Sequence, residues 1–384
     1  MREPLLKFAL LLSLLSGISC SRSGDKNSFG IPNGSISYAS RFTLEVKDSY
    51  TRLEVTEPWQ GASGVKQVYF LTREGVPLTD SIPENTIVIK VPVKSIVCMS
   101  ATHVAMISAL GMEHTIRGVS GINLIANSSV RQLAEKGLIV DVGYEGSLNR
   151  EAILEMNPDL FMAYGVGSES AGYLTKLGEL GINIMLNAEY LELEPLGKAE
   201  WIKVFGALYC LQEKADSIFR LESARYEAIK KMVAESTAEK PSVLLGLPWK
   251  DSWYISPGNS NISQLINDAG GNYLWKDVKS QTSMPLSLEN VYMKALDANF
   301  WLNPGSAASL NDIAMIDRRL ADLPPYIDGN VYNNTKLMTG TGANEYWERG
   351  STYPSLILKD IATILHPEIF PGDTLIYYRR LGKK

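Results

Sequence analysis

Two stretches of this chain have nearly the same design. "NREAILEMNPDLFMAYG" runs from Asn149 to Gly165, and "SLENVYMKALDANFWLNPG" runs from Ser287 to Gly305. Each opens on a polar residue with a glutamate close behind, Glu151 and Glu289. Each continues as a short amphipathic run and closes on a hydrophobic burst led by Asp159 or Asn299. A helix-then-strand unit built twice in one chain points to two similar α/β lobes with the unit at the same place in each.

The surrounding sequence supports that plan. "ENTIVIKVPVKSIVCMS" holds two apolar β-branched runs divided by Pro92, and "THVAMISALGM" then has helical spacing. "IRGVSG", "LIVDVG", "DLFMAYG" and "INIMLN" read as strands with helical stretches between them, the pattern of a parallel sheet covered by helices. Residues 195–210 read as helical. Residues 212–235, "QEKADSIFRLESARYEAIKKMVAE", have few breakers and would reach about 36 Å as a helix. One lobe does not need a helix of that length; a strut between two lobes does. Beyond Pro241 the alternation resumes, with "SVLLGL", "WYIS", "NFWLNPG" and "GNVYNN" as strands and "SAASLNDIAMIDRRLADL" and "SLILKDIATILHPEIF" as helices. Residues 41–57 and "VKQVYFLTR" alternate in the manner of strands. The expected fold is α/β: two Rossmann-like α/β lobes with central parallel sheets, residues 92–211 and 237–384, joined by one long helix, 212–236. A small N-terminal β-rich segment, 41–91, precedes them. A chain of 384 residues accommodates this.

The N-terminus reads differently. Arg2 and Lys7 precede the short apolar run "FALLLSLL", and "SGISC" ends at Cys20, so residues 1–19 read as a signal peptide. Cys20 occupies the place of a lipidated cysteine, although Gly17 stands where a lipobox usually has Leu. A plain secretory signal is the alternative. The polar "SRSGDKNSFGIPNGS" that follows favours a lipid-anchored flexible tether, residues 20–40, with acyl chains on Cys20 holding the protein to a membrane. Cys98 and Cys210 then read as buried free thiols.

Catalytic motifs are lacking. The three histidines, His103, His114 and His366, are not spaced as a zinc site, and HExxH, CxxC and G-x-S-x-G do not occur. "GTGANE" at Gly340 reads as a plain loop. No enzyme activity, resident metal or cofactor is expected. The net charge of −5 excludes an ordinary nucleic-acid binder. His103 opens a helix at the C-terminal end of a strand, where ligands bind α/β sheets; a capping or packed histidine is the competing reading. The loops are rich in aromatic groups. Tyr144 precedes the first repeated helix and Tyr164 closes its strand. Trp249, Trp253 and Tyr254 cluster in "PWKDSWYISPGN", Met284 precedes the second repeated helix, and "NEYWERG" carries Trp347. Aromatic loops on facing edges of two lobes make a cleft for a large, flat or apolar ligand. Tyr144, Trp249, Trp253 and Trp347 are equally readable as packing residues, and Trp275 and Trp301 read as core. Glu151 and Glu289 suit the first turn of a helix individually. As a matched pair they would also form two symmetric docking points for basic groups on a two-fold partner.

These residues resemble a known family. "KSIVCMSATHVAMISALGMEHTIRGVSG", "VDVGYEGSLNREAILEMNPDLFMAYG" and "LGELGINIMLN" in the first lobe look like those of the substrate-binding proteins of ABC importers for iron-siderophores, haem and vitamin B12. So do "GNSNISQLINDAGGNYLWKD", "MPLSLENVYMKALDANFWLNPG" and "LKDIATILHPEIFPG" in the second lobe. The β-rich 41–75 and the closing "HPEIFPGDTLIYYRRL" resemble the version found in lipoproteins of the Bacteroides type. The usual "NLE" is "NRE" here, and Asn299 replaces the commoner Asp. The resemblance implies a monomeric, non-enzymatic periplasmic lipoprotein, held to the membrane only through Cys20. It would capture a small metal chelate: a ferric siderophore foremost, a corrinoid or haem otherwise. Glu151 and Glu289 would pair with arginines of a permease dimer that works with its ATPase. The ligand would lie near Tyr144, Met284 and Trp253; Tyr164, Trp249, Trp347 and His103 are added as candidate contacts from the reading of the loops above. An enzyme built on the same two-lobe frame and a surface capture lipoprotein without a permease are the rivals.

Overall fold

The apolar runs on either side of Pro92 enter different sheets. The structure is a computed structural model that describes residues 36–77, 82–83, 86–165 and 170–383. Before Pro92, β1 (Phe42–Val46), β2 (Tyr50–Thr56), β3 (Lys66–Arg73) and β4 (Ile87–Val91) form one sheet in that order. β1, β2 and β3 are antiparallel, and β4 runs parallel to β3. After Pro92, β5 (Ile96–Cys98), β6 (Ile116–Val119), β7 (Val140–Asp141), β8 (Leu160–Ala163) and β9 (Ile184–Leu186) form an all-parallel sheet ordered β7-β6-β5-β8-β9. Every residue of β5 and β8 is buried, as strands covered on both faces require.

The second half repeats the plan with β10 (Ser242–Leu245), β11 (Ser252–Ile255), β12 (Asn272–Tyr273), β13 (Met284–Ser287), β14 (Phe300–Leu302), β15 (Val331–Asn333) and β16 (Arg379–Arg380). Five of them form a sheet ordered β12-β10-β14-β15-β16, parallel except for the last pair. β11 and β13 stand apart as an antiparallel ribbon. The two-lobe α/β architecture with an N-terminal β sheet is thus as the sequence implied.

The repeated unit has a structural reason visible at its acidic or amide residue. The backbone N–H of Ser95 donates to Asp159 Oδ2 (3.0 Å), and the N–H of Asp159 donates to Ser95 Oγ (2.9 Å). In the second lobe the N–H of Ser242 donates to Asn299 Oδ1 (2.8 Å), and the N–H of Asn299 donates to Ser242 Oγ (3.0 Å). The same reciprocal clasp pins the start of the first parallel strand in each lobe to the strand after the repeated helix. Asn serves as well as Asp because only the acceptor oxygen is used.

Between the sheets runs the helix Gln212–Ser236, of 25 residues. Its first half belongs to the N-terminal lobe: Ala215 and Phe219 enter that core, and Lys214 Nζ donates to the Leu110 carbonyl (2.8 Å). Its second half belongs to the other lobe. Glu222 accepts from the N–H of Ser355 (2.7 Å), the Tyr226 hydroxyl donates to Asp268 (2.8 Å), and Lys230 pairs with Asp268 (3.2 Å).

The structure differs from the sequence reading at several points. The helical stretch 195–210 is two helices, Pro195–Glu200 and Ile202–Tyr209, meeting at the buried Trp201. The stretch after Ser306 is helical only from Leu310 to Ile316 and then tightens into a 3₁₀ turn, Arg318–Asp322. The last residues of the expected tether are held in place. Glu200, 0% exposed, accepts from the N–H groups of Ser37, Tyr38 and Ala39, and Glu192 accepts from those of Ser40 and Arg41. Cys20 and the signal segment lie outside the described residues.

Candidate ligand-binding cleft

In open α/β sheets ligands settle beyond the carboxyl ends of the strands, where the strand order reverses. Those points fall between β5 and β8 in one lobe and between β10 and β14 in the other. A cavity of about 710 Å³ lies beside the second of them and is walled by residues of both halves. Leu245 and Gly246 leave β10 into it, and Asn303, at φ +55°, leaves β14 into it. Tyr254 of β11, the start of the helix Asn261–Asp268, and the loop Ser280–Ser283 add a polar wall. Trp347 and Tyr346 close one side, with Trp347 63% exposed and its ring edge-on to Tyr346 (4.7 Å, 84°).

The opposite wall comes from the N-terminal sheet. The turn between β2 and β3 brings in Glu57, Trp59 and Gln60, and Tyr190 comes from the segment after β9. Trp59 bridges to Gly165 at the end of the first repeated strand, so closely that a Cβ at Gly165 would lie 2.6 Å from Trp59 Cβ. The N–H of Gln60 donates to the Gly165 carbonyl (3.3 Å), as does the Tyr190 hydroxyl. Sequence reasoning missed Trp59 and Tyr190. The "PWQG" between two alternating runs, a turn signal presenting a tryptophan, was the available clue.

The aromatic candidates separate clearly. Trp347 lines the cavity. Tyr164 stands behind its wall, edge-on to Tyr190 at 6.0 Å. Met284 lies opposite Ile255 in the β11–β13 ladder, and the four residues before it, Ser280–Ser283, rather than Met284 itself, line the cavity. Tyr144 (53% exposed) packs its hydroxyl toward Gly121, and Trp249 carries Lys250 over its ring at 4.5 Å; neither belongs to the described lining. Trp253 and His103 are corrections, because both are 0% exposed. Trp253 shares its strand face with Ile255 and stacks on Trp301 at 5.7 Å. Its Nε1 donates to the Leu245 carbonyl (2.9 Å), and Trp301 Nε1 donates to the Gly246 carbonyl (2.7 Å). The pair supports the cavity wall from behind. Tyr254, between Trp253 and Ile255, takes the cavity side. His103 sits inside the N-terminal lobe against Phe205 (6.4 Å), and burial pushes its pKa down to about 3, so it is a neutral core residue.

Glu151 and Glu289 each take the second position of their helices, Arg150–Met156 and Leu288–Ala295, behind matched caps. Asn149 accepts from the N–H of Ala152 (3.1 Å) and Ser287 from that of Asn290 (3.3 Å). Both glutamates are exposed. The Glu289 carboxyl is held below the usual range, first by its own backbone N–H and then by Arg319 at 3.4 Å, which also pairs with Asp317. Among the described residues no group of three or more His, Cys, Asp or Glu is placed to hold a metal ion, and no helix is long and apolar enough to cross a membrane.

One carboxylate bridges the lobes beside the cavity. Glu348, next to Trp347, accepts from the N–H groups of Ala126 (2.6 Å) and Asn127 (3.0 Å), where the helix Ser128–Glu135 begins. Burial pushes its pKa up to about 7, with Glu345 adding to the rise, while the two N–H groups and Arg131 oppose it. Folded protein therefore keeps this proton up to about pH 7, whereas the unfolded chain releases it near the ordinary glutamate value of 4.5. The contribution is fully present below that lower value and is lost as pH rises through about 7. Urea unfolding should show stability falling by up to about 3 kcal/mol from about pH 5 to about pH 8, and Glu348→Gln should flatten the slope. An unchanged slope in the variant would assign the effect elsewhere.

Comparison with known proteins gives the same frame. An uncharacterized lipoprotein of Methanocaldococcus jannaschii is 29% identical over 302 residues, covering 76% of this chain and 70% of its own. A second uncharacterized lipoprotein of that organism is 27% identical over 327 residues, covering 81% and 80%. Among solved structures, a possible iron-binding periplasmic solute-binding protein from Staphylococcus epidermidis superposes with a TM-score of 0.56 at 16% identity, covering 72% of this chain and 99% of its own. A periplasmic haem-binding protein from Pseudomonas aeruginosa gives 0.55 at 17%, covering 72% and 93%. At these identities the structures speak for the fold alone. Residues 96–336 match the periplasmic binding protein family across well over half of the chain, and the protein belongs to that family.

Proposed function

We propose that this protein is the substrate-binding component of an ABC importer, capturing a metal chelate in the cleft between its lobes and delivering it to a membrane permease. The observation that carries this reading is the 710 Å³ cavity beyond the carboxyl ends of the parallel strands, walled by aromatic and amide side chains of both halves. Relatives of this fold are named for iron, for haem and for Fe³⁺-hydroxamate transport, which supports an iron chelate as cargo, a ferric siderophore foremost. The role is binding rather than catalysis. The exposed Glu151 and Glu289, at equivalent helix starts, would seat the two lobes on basic groups of the permease dimer. Lipid attachment at Cys20 in an extracytoplasmic compartment is consistent with the lipoprotein relatives.

Two measurements test the reading. Tryptophan-fluorescence titration should show saturable quenching by a ferric chelate with a dissociation constant of about 1 μM or tighter. The double variant Glu151→Ala/Glu289→Ala should bind the same chelate within about threefold of wild type yet lose at least about tenfold in cellular uptake. Unimpaired uptake by that variant would instead favour a capture lipoprotein that works without a permease.

A further inference from the structure

The charges of the cavity limit what it can hold. Its described lining contains two cationic side chains, Arg41 and Lys198, and two anionic ones, Glu57 and Glu192. All four are already engaged. Arg41 pairs with Glu57 (3.0 Å), and Lys198 faces Glu189 (3.6 Å), which is 3% exposed behind it. Glu192 accepts from the N–H groups of Ser40 and Arg41, the Ser40 hydroxyl and Trp201 Nε1. The wall is therefore neutral, or one unit negative once Glu189 is included. Neither cation of the described lining stands ready to balance an anionic ligand.

The remaining polar lining is uncharged. It offers the amides of Gln60, Asn259, Asn261, Gln281 and Asn303, together with serine and threonine hydroxyls. Three buried polar atoms of lining residues have no hydrogen-bond partner among the described residues: Asn261 Nδ2, Arg41 Nε and Asn303 Oδ1. These three atoms are shielded from the cavity, and the Asn303 amide already meets the Tyr346 and Tyr378 hydroxyls, so the polar surface a ligand reaches is the uncharged amide and hydroxyl groups just named. Exposed aromatic faces, Trp347 and Tyr254, add stacking surface.

We infer that the ligand of this cleft is a chelate or metal-bearing cofactor of net charge near zero that presents its own carbonyl, amide and hydroxyl groups, and that polyanionic chelates are rejected. This rests on the proposed binding function and narrows it by charge. A trianion would be desolvated beside Glu57 and Glu192 with no free counter-charge, and like-charge juxtaposition of that kind discriminates strongly.

The test is a fluorescence titration of the whole protein with four probes: a neutral ferric trihydroxamate, cyanocobalamin, haem and a trianionic ferric tris-catecholate. The expected result is saturable binding of at least one of the two neutral probes, with the tris-catecholate and haem at least roughly 100-fold weaker. That binding should change less than about twofold between low and high salt, because no net charge is being screened. The variant Gln281→Lys/Thr282→Lys, which adds two cations at the exposed rim, should strengthen tris-catecholate binding about tenfold or more. Preferential binding of the trianion or of haem by the unaltered protein would overturn the charge inference and leave the binding function standing. Failure of all four probes to bind would overturn both.

Discussion

Replacing Trp301 with alanine should lower the unfolding free energy by about 3–5 kcal/mol and weaken ligand binding with it. The side chain is 0% exposed at the centre of β14, stacked on Trp253. Truncation would leave a cavity that neighbours on β10 and β11 can fill only by moving strands. It would also remove the donor held by the Gly246 carbonyl at 2.7 Å. Gly246 and Leu245 line the cavity, so the loss reaches the site through its backbone. Trp301→Phe separates the two effects: it keeps much of the volume and loses the hydrogen bond, for about 1–2 kcal/mol. Urea denaturation and chelate titration of both variants check this. A Trp301→Ala loss under about 1 kcal/mol would mean that the indole pair does not support the wall.

Glu200→Ala should cost a similar amount, about 3–5 kcal/mol, by a different route. This carboxylate is 0% exposed and accepts from three consecutive backbone N–H groups, at Ser37, Tyr38 and Ala39. It also pairs with Lys203 at 2.8 Å, and Lys203 is itself buried, with Asp216 farther off at 3.9 Å. Removing the acceptor leaves amide donors and an ammonium desolvated. The segment that leads from the anchor to β1 should then release, and limited proteolysis should cleave it before Phe42 at a dilution of protease that spares wild type. Glu192 holds the next two residues, so the double variant Glu192→Ala/Glu200→Ala should free the strand start altogether. A single variant that keeps both its stability and its protease resistance would show that the clamp is redundant.

Much of the architecture was legible because it rests on periodicity and repetition. The two repeated units, the strand–helix alternation and the long helix all leave local patterns. β12 and β16 have two residues each, too short to show a period, and their pairing is decided by neighbouring strands. The site was harder to read because a tryptophan in a loop-rich stretch has the same composition whether it faces in or out. Strand alternation would have placed Trp253 with Ile255 and turned Tyr254 to the cavity, had "WYI" been read at period two. Trp59 and Tyr190 could not be joined from sequence, since their contact with Gly165 depends on how the N-terminal sheet docks on the lobe. Nor does sequence announce that Glu192, Glu200 and Glu348 are buried acceptors, for a glutamate is ordinarily a surface residue.

The helix Gln212–Ser236, seated in one lobe by Lys214 and Phe219 and in the other by Glu222 and Tyr226, has a consequence for signalling. In the binding role proposed above, a rod fixed at both ends would hold Glu151 and Glu289 at nearly one separation whether the cleft is full or empty. A partner that reads only those two carboxylates would then meet loaded and unloaded protein alike. Telling them apart would fall to the rim of the cleft, where Trp347 and Tyr254 stand in solvent and a bound ligand would cover them.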